Sequence, residues 1–250
     1  MKRKERHHLK ENELVHTIGA ARDFFDARQR EIGVVLVGII VVAVVAAGVM
    51  LFRQRNQSRG SDLLAEAMVA LNAQVVPAGA KAGEDNLPAA ATIGATGSFS
   101  TEAAKLTAAL PKLQAAADAY PDSAAGITAR YHLAGAFAAL GRHEDAIKQF
   151  DEVATRAGVG SVYGRMARLG KADAQARAGQ LDAAIATWKE MAGVSSPDYP
   201  TDAILMELAR AYAQKGDKEE ARKAFTQIVD QHPDSPYAPQ ARAELENLKG

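Results

Sequence analysis

"GRHEDAIKQF", residues 141–150, decides the fold, because the chain writes it three times. It aligns without gaps on "GQLDAAIATW" from Gly179 and on "GDKEEARKAF" from Gly216. Five residues after each glycine stands an alanine (Ala146, Ala184, Ala221), and nine after it a large aromatic (Phe150, Trp188, Phe225). The glycines lie 38 and 37 residues apart. A longer echo keeps the same beat: "YPDSAAGITARYHL" at 120–133 returns as "HPDSPYAPQARAEL" at 232–245, 112 positions and three periods later. Self-similarity at a fixed period of this length marks a solenoid of stacked units.

Each part of the pattern has a mechanical reason. A glycine after an amphipathic stretch takes the left-handed conformation that ends one helix and turns the chain toward the next. The alanine lets two antiparallel helices approach, and the aromatic four residues later fills the space on the same face. Before the glycines, Leu133 and Phe137 in the first unit and Leu208 and Tyr212 in the third form the matching i, i+4 stripe. The middle unit has Lys171 and Gln175 there instead, which leaves its packing open. Asp-Ser after Pro121 and after Pro233 offers an N-cap to the next helix, with Pro236 in the first turn of the last one.

Upstream of the repeats, "IGVVLVGIIVVAVVAAGVMLF", Ile32 to Phe52, carries no charge. At about 1.5 Å per residue such a helix just crosses a hydrocarbon core of about 30 Å. The expected organisation is therefore a charged segment 1–31, a transmembrane helix 32–52, a first solenoid helix within 53–76, a flexible Pro/Gly/Ala-rich insertion 77–100 and the repeats over 101–250, closed by a capping helix. The fold class is all-α. Eight basic residues precede the anchor, but within about 20 residues of its ends Arg22, Arg28 and Arg30 balance Arg53, Arg55 and Arg59, so charge alone leaves the orientation open. Equal acidic and basic totals, 30 each, exclude a polycation built for nucleic acid. With no cysteine there is no disulfide, thiolate metal site, cysteine nucleophile or lipidated N-terminal cysteine.

At Leu133-Ala134, Leu208-Ala209, Phe137, Tyr212, the turn glycines, the alanines, the following aromatics and Pro233, the chain resembles the tetratricopeptide repeat. Its period exceeds the usual length of about 34 residues, as in the looser periplasmic relatives. The whole layout, a charged N-terminus, one anchor and an alanine-rich repeat region, resembles the YfgM-like ancillary subunits of the bacterial Sec translocon. That resemblance implies an inner-membrane, single-pass protein with a cytoplasmic N-terminus and periplasmic repeats. As partners it implies translocon subunits, periplasmic chaperones or exported chains. "HPDSPYAPQARAEL" also resembles the Tol-Pal-associated coordinator and outer-membrane assembly lipoproteins.

In such arrays the first helix of each pair lines the concave face, and positions six and ten before the turn glycine point into it. Here these are Gly135 and Tyr131, Asp173 and Leu169, Arg210 and Met206. They offer apolar contacts for affinity and charges for register to an extended or helical protein segment. No catalytic motif emerges. The six histidines form no i, i+4 pair on a repeat helix and no metal-ligand spacing, and no phosphate loop or Gly-x-Ser-x-Gly elbow is present. His143 reads as an exposed, solvated residue. Glu144-Asp145 and Glu219-Glu220 each open a helix, where they complement its dipole rather than form an acid and base. The expected protein is a non-enzymatic interaction scaffold without metal or cofactor, contacting lipid through 32–52 and proteins through its groove, with a cell-envelope coordinator as the second reading.

Overall fold

A computed structural model of the protein describes residues 29–76, 98–194 and 199–248. The expected charged segment 1–31 and the insertion 77–100 lie largely outside them. The described elements are α1 (Gln29–Leu71), β1 (Gln74–Val75), β2 (Ser98–Phe99), α2 (Glu102–Ala119), α3 (Ala124–Ala139), α4 (His143–Ala157), α5 (Val162–Arg177), α6 (Leu181–Ala192), α7 (Thr201–Lys215), α8 (Lys218–Gln231) and α9 (Ala238–Asn247). They divide into two units, 1–55 and 56–250.

In the first unit, every described large apolar side chain of α1 from Val34 to Phe52 is exposed. A helix that is apolar on all sides has no single face to bury in a protein core. Within Leu36–Leu71 lies a stretch long and apolar enough to cross a membrane.

The second unit is a helical solenoid. Successive helices from α2 to α9 pack each on the next, and α3 also touches α5. Three hairpins, α3–α4, α5–α6 and α7–α8, turn at Gly141, Gly179 and Gly216, whose φ angles are +74°, +80° and +86°. Just beyond each glycine the backbone N–H of Arg142, Gln180 and Asp217 donates to the carbonyls of Phe137, Gln175 and Tyr212 at 2.9, 2.8 and 2.9 Å. That bond closes the helix end on the left-handed residue. Ala146, Ala184 and Ala221 have no exposed surface, and Phe150, Trp188 and Phe225 are 5%, 2% and 1% exposed. The side chains form a cluster from α1 to α5 around Leu113, Leu133 and Phe150, and another from α5 to α9 around Trp188, Leu205 and Phe225.

Three features depart from the sequence reading. The all-α architecture carries one short parallel ladder, Gln74 opposite Ser98 and Val75 opposite Phe99, extended by Val76 N–H donating to the Phe99 carbonyl at 2.8 Å. It ties the two chain ends that flank residues 77–97 and supplies backbone partners where α1 stops. Ser123 caps α3 by accepting from Gly126 N–H at 3.0 Å, but Ser235 does not cap α9. Its hydroxyl donates to Asp202 of α7 at 2.7 Å, and the helix starts three residues later with Pro239, not Pro236, in its first turn. His143 is half-buried, and its Nδ1 has no hydrogen-bond partner.

The middle unit accommodates its polar substitutions by burial and pairing. Gln175 is 8% exposed, matching Phe137 at 8% and Tyr212 at 7% in the equivalent positions, although its side-chain oxygen lacks a partner. Lys171 is half-buried and forms an ion pair with Asp151 of α4. Its stem thus packs while its charge is met at the edge.

One buried charge invites a test. Arg130, 7% exposed, donates to Asp118 and Gln149, both at 2.7 Å. Eleven residues before the turn glycine, Arg130 and Arg168 correspond to Leu205, which is 2% exposed. An apolar side chain therefore suits this position in the same architecture. Arg130→Leu is expected to leave stability unchanged or raise it by about 1 kcal/mol, since the desolvation of a buried guanidinium offsets its attraction to a half-solvated carboxylate. Chemical denaturation checks this, and a loss above about 2 kcal/mol would show that the pair is needed.

Candidate functional site

The groove is set by how the first helices of the hairpins diverge. α3 packs directly on α5, but α5 and α7 make no comparable contact. The gap is a concavity of about 600 Å³, entered by Leu169, Asp173, Ala176 and Arg177 from α5 and by Ala203, Ile204, Glu207 and Gln214 from α7. Trp188, Pro200 and Tyr237 complete its wall. The spacing 203, 207, 214 is one helical stripe, so α7 presents Ala203, Glu207 and Gln214 on one ridge, with Glu207 across the concavity from Asp173.

The proposed groove residues fall into four groups. Leu169 and Asp173 line this concavity. Tyr131 is half-buried on α3, with its ring 5.7 Å from Phe150 and 5.6 Å from Tyr163, both edge-on. Gly135 is exposed with open space around it, and Arg210 is exposed and paired with Glu207 at 2.6 Å and Gln240 at 3.1 Å. Met206 is a correction: it has no exposed surface and belongs to the core cluster with Leu205 and Phe225. It lies well off the stripe of Ala203 and Glu207, so counting from Gly216 aimed it into the wrong sector. Glu207, Ala203 and Tyr237 were missed by the same count. A larger hollow of about 790 Å³ lies among Gly193, Tyr199, Asp202, Gln231 and His232.

Asp173 is the electrostatic centre of the groove. Among the described residues it has no hydrogen-bond or ion-pair partner. Its carboxyl pKa is pushed up to about 6 by lost hydration among the groove walls, then by Glu207, against the lowering effect of Arg177. Asp173 is solvent-exposed as a residue, so the shift reflects crowding of its carboxyl by the groove walls and by Glu207 rather than enclosure, and water screens its effect on stability. Tyr131 is raised above the usual phenol range by burial first, then by Tyr163 and Asp173. The linkage has a definite sign. A carboxyl whose folded pKa lies above its unfolded value, 3.8, binds protons more tightly when folded. Asp173 therefore stabilises the fold least once it is ionised, and stability falls as pH rises from about 4 to 6. Asp173→Asn is expected to raise the melting temperature at pH 7.5 and to change it little at pH 4. Calorimetry at the two pH values reads the difference, and a gain of equal size at both would contradict the assignment.

Among the described residues no group of three or more histidine, aspartate or glutamate side chains is arranged to hold a metal ion. The paired acids sit where helices begin: Asp145 binds Arg142, Glu219 binds Arg222 and Glu220 binds Lys223.

Comparison with known proteins agrees with the geometry. No curated protein matches the chain. Its solved neighbours include two crystal structures of nearly identical TPR-like repeats from a Podosopora anserina protein described as a kinesin light chain, one of them a glutamine-to-methionine variant. The variant is 20% identical, covering 58% of this chain and 77% of its own, with a TM-score of 0.49. The other is 19% identical, covering 58% and 78%, with the same TM-score. The family model of the tetratricopeptide repeat matches residues 102–162 and 169–236, more than half of the sequence. With the glycine-turned hairpins and their continuous core, this places the chain in the tetratricopeptide repeat family, whose stacked helix pairs serve as scaffolds for protein–protein interaction.

Proposed function

We propose that this protein is a membrane-anchored scaffold at the site of protein export, holding an extended or helical segment of a protein partner in the groove between α5 and α7. The observation that carries the reading is that concavity, apolar along Leu169, Ala203 and Tyr237 and charged at Asp173 and Glu207, in a tetratricopeptide solenoid. The anchor is the apolar stretch of α1. By the resemblance of the layout, the N-terminus is cytoplasmic, the repeats lie in the periplasm and the partners are translocon subunits and periplasmic chaperones. The resemblance of residues 232–245 to the Tol-Pal-associated coordinator supports an envelope role as the second reading. Purification of the tagged full chain from mild detergent tests the first. Recovery of translocon or chaperone subunits supports it; their absence, with the protein concentrated at division septa, favours the second. A reporter fused after Gly250 that is active only in the cytoplasm overturns both topologies.

A further inference from the structure

We propose that the groove between α5 and α7 selects partner segments carrying a lysine or arginine side chain, with Asp173 and Glu207 as the anionic recognition pair. This rests on the reading of the groove as a protein-binding surface and adds the chemistry of the occupant. Three observations converge. First, two carboxylates, Asp173 and Glu207, line one open concavity and act on each other electrostatically. Glu207 is held by Arg210, whereas Asp173 has no donor at all among the described residues.

Second, Trp188 lines the same concavity, is 2% exposed, and its indole N–H has no hydrogen-bond partner. A buried donor without a partner costs about 1–3 kcal/mol, and this one is sealed in the wall, so the unmet charge that the groove presents is that of Asp173. A bound segment brings an ammonium or guanidinium for Asp173 and packs over the wall beneath which the indole lies. Third, Tyr131, whose ring is edge-on to Tyr163, lies within electrostatic reach of Asp173 outside the concavity. Rings beside a carboxylate favour a cation, which is attracted to both. The cations already near the site do not fill this place. Arg210 is turned to Glu207 and Gln240, and Arg177, which lines the same concavity, is exposed and makes no ion pair with Asp173.

The interaction has a sense in pH. A cation binds the ionised carboxylate, so affinity rises as Asp173 loses its proton around pH 6. The groups facing Asp173 are Glu207 of α7, which opposes ionisation, Arg177 of α5, which favours it, and Tyr131 of α3, which stays neutral in this range.

The chain contains one tryptophan, Trp188, in the groove wall, so its emission reports occupancy. The experiment uses the full chain in nanodiscs of zwitterionic lipid, with empty nanodiscs subtracted. The probes are three capped nine-residue peptides that alternate leucine with arginine, glutamine or glutamate. The arginine peptide is expected to shift the emission and to bind at least about tenfold more tightly than the glutamine peptide at pH 7.5, a difference of about 1.4 kcal/mol. Asp173→Asn is expected to remove that preference, and Glu207→Gln to reduce it. Lowering the pH to 5 is expected to remove it from the wild type but to leave Asp173→Asn unchanged. Equal binding of arginine and glutamine peptides overturns the proposal while leaving a peptide-binding groove in place. Preference for the glutamate peptide also overturns it. No response of Trp188 to any peptide overturns it together with the groove reading on which it rests.

Discussion

Replacement of Trp188 by alanine is expected to cost about 3–5 kcal/mol, the largest loss from any single truncation in the repeat domain. The side chain is 2% exposed in the cluster that joins Ala172 of α5, Ile185 of α6 and Ile204, Leu205 and Leu208 of α7. Removing the indole empties a site walled by three helices, and a solenoid has no second layer to collapse into the space. The loss is also expected to be local. Units in such arrays are stabilised mainly by their nearest neighbours, and the N-terminal cluster around Leu113, Leu133 and Phe150 does not include Trp188. Hydrogen exchange on the full chain should show amides of α6 to α8 losing protection far more than those of α2 and α3. Trp188→Phe separates volume from polarity: it keeps most of the packing and removes the unpaired indole donor, so its cost should stay below about 1.5 kcal/mol. A uniform loss of protection along the domain, or an alanine variant as stable as the phenylalanine one, would refute this account of the core.

The repeat positions were legible because they obey rules that act along the chain. A left-handed turn demands glycine, a close helix contact demands alanine, and both leave a fixed offset to the aromatic. Counting from the glycine therefore located Ala146, Ala184, Ala221 and their aromatics in the core. The same count failed for the groove at Met206, because groove exposure depends on where each first helix stands relative to its neighbours. α3 touches α5 closely and α5 stands away from α7, so equivalent offsets meet different surroundings. The interactions of Arg130 and Gln175 were hidden for a similar reason: their partners, or lack of them, lie on other helices. The two-residue ladder at Gln74–Val75 and Ser98–Phe99 is too short to produce any alternation in the sequence. A further repeat is written in the first helices of the hairpins. Ser123, Gly126, Ala129 and Arg130 recur as Ser161, Gly164, Ala167 and Arg168 with the same 38-residue offset that separates Gly141 from Gly179.

The Ser-x-x-Gly repeat carries the other large expected effect. Gly164→Ala should destabilise the domain by about 2–4 kcal/mol, although alanine is the better helix former by about 1 kcal/mol. Gly164 sits in the first turn of α5, beneath the carbonyl of Gly158, which accepts from Ser161 N–H at 3.0 Å and from the Ser161 hydroxyl at 2.8 Å. Ser161 in turn caps the helix by accepting from Gly164 N–H at 2.9 Å. A Cβ at Gly164 would lie 2.0 Å from that carbonyl oxygen, so the loop must swing out and its hydrogen bonds with Ser161 must break. A lost cap alone costs about 1 kcal/mol, and the displaced backbone adds to it. Gly126 repeats the arrangement, with its Cβ position 2.0 Å from the Tyr120 carbonyl, which accepts from Ser123 N–H at 3.0 Å and from its hydroxyl at 2.8 Å. Gly135 is the control: it lies inside α3 with nothing within 4 Å of where a Cβ would stand. Gly135→Ala should therefore stabilise the domain by about 0.4–1 kcal/mol through the lower entropy of the unfolded chain. Denaturant titration of the three variants gives opposite signs if close backbone approach explains the repeated glycine. If Gly164→Ala and Gly135→Ala shift the midpoint in the same direction, helix propensity governs both sites and the Ser-x-x-Gly turn has no structural role of its own.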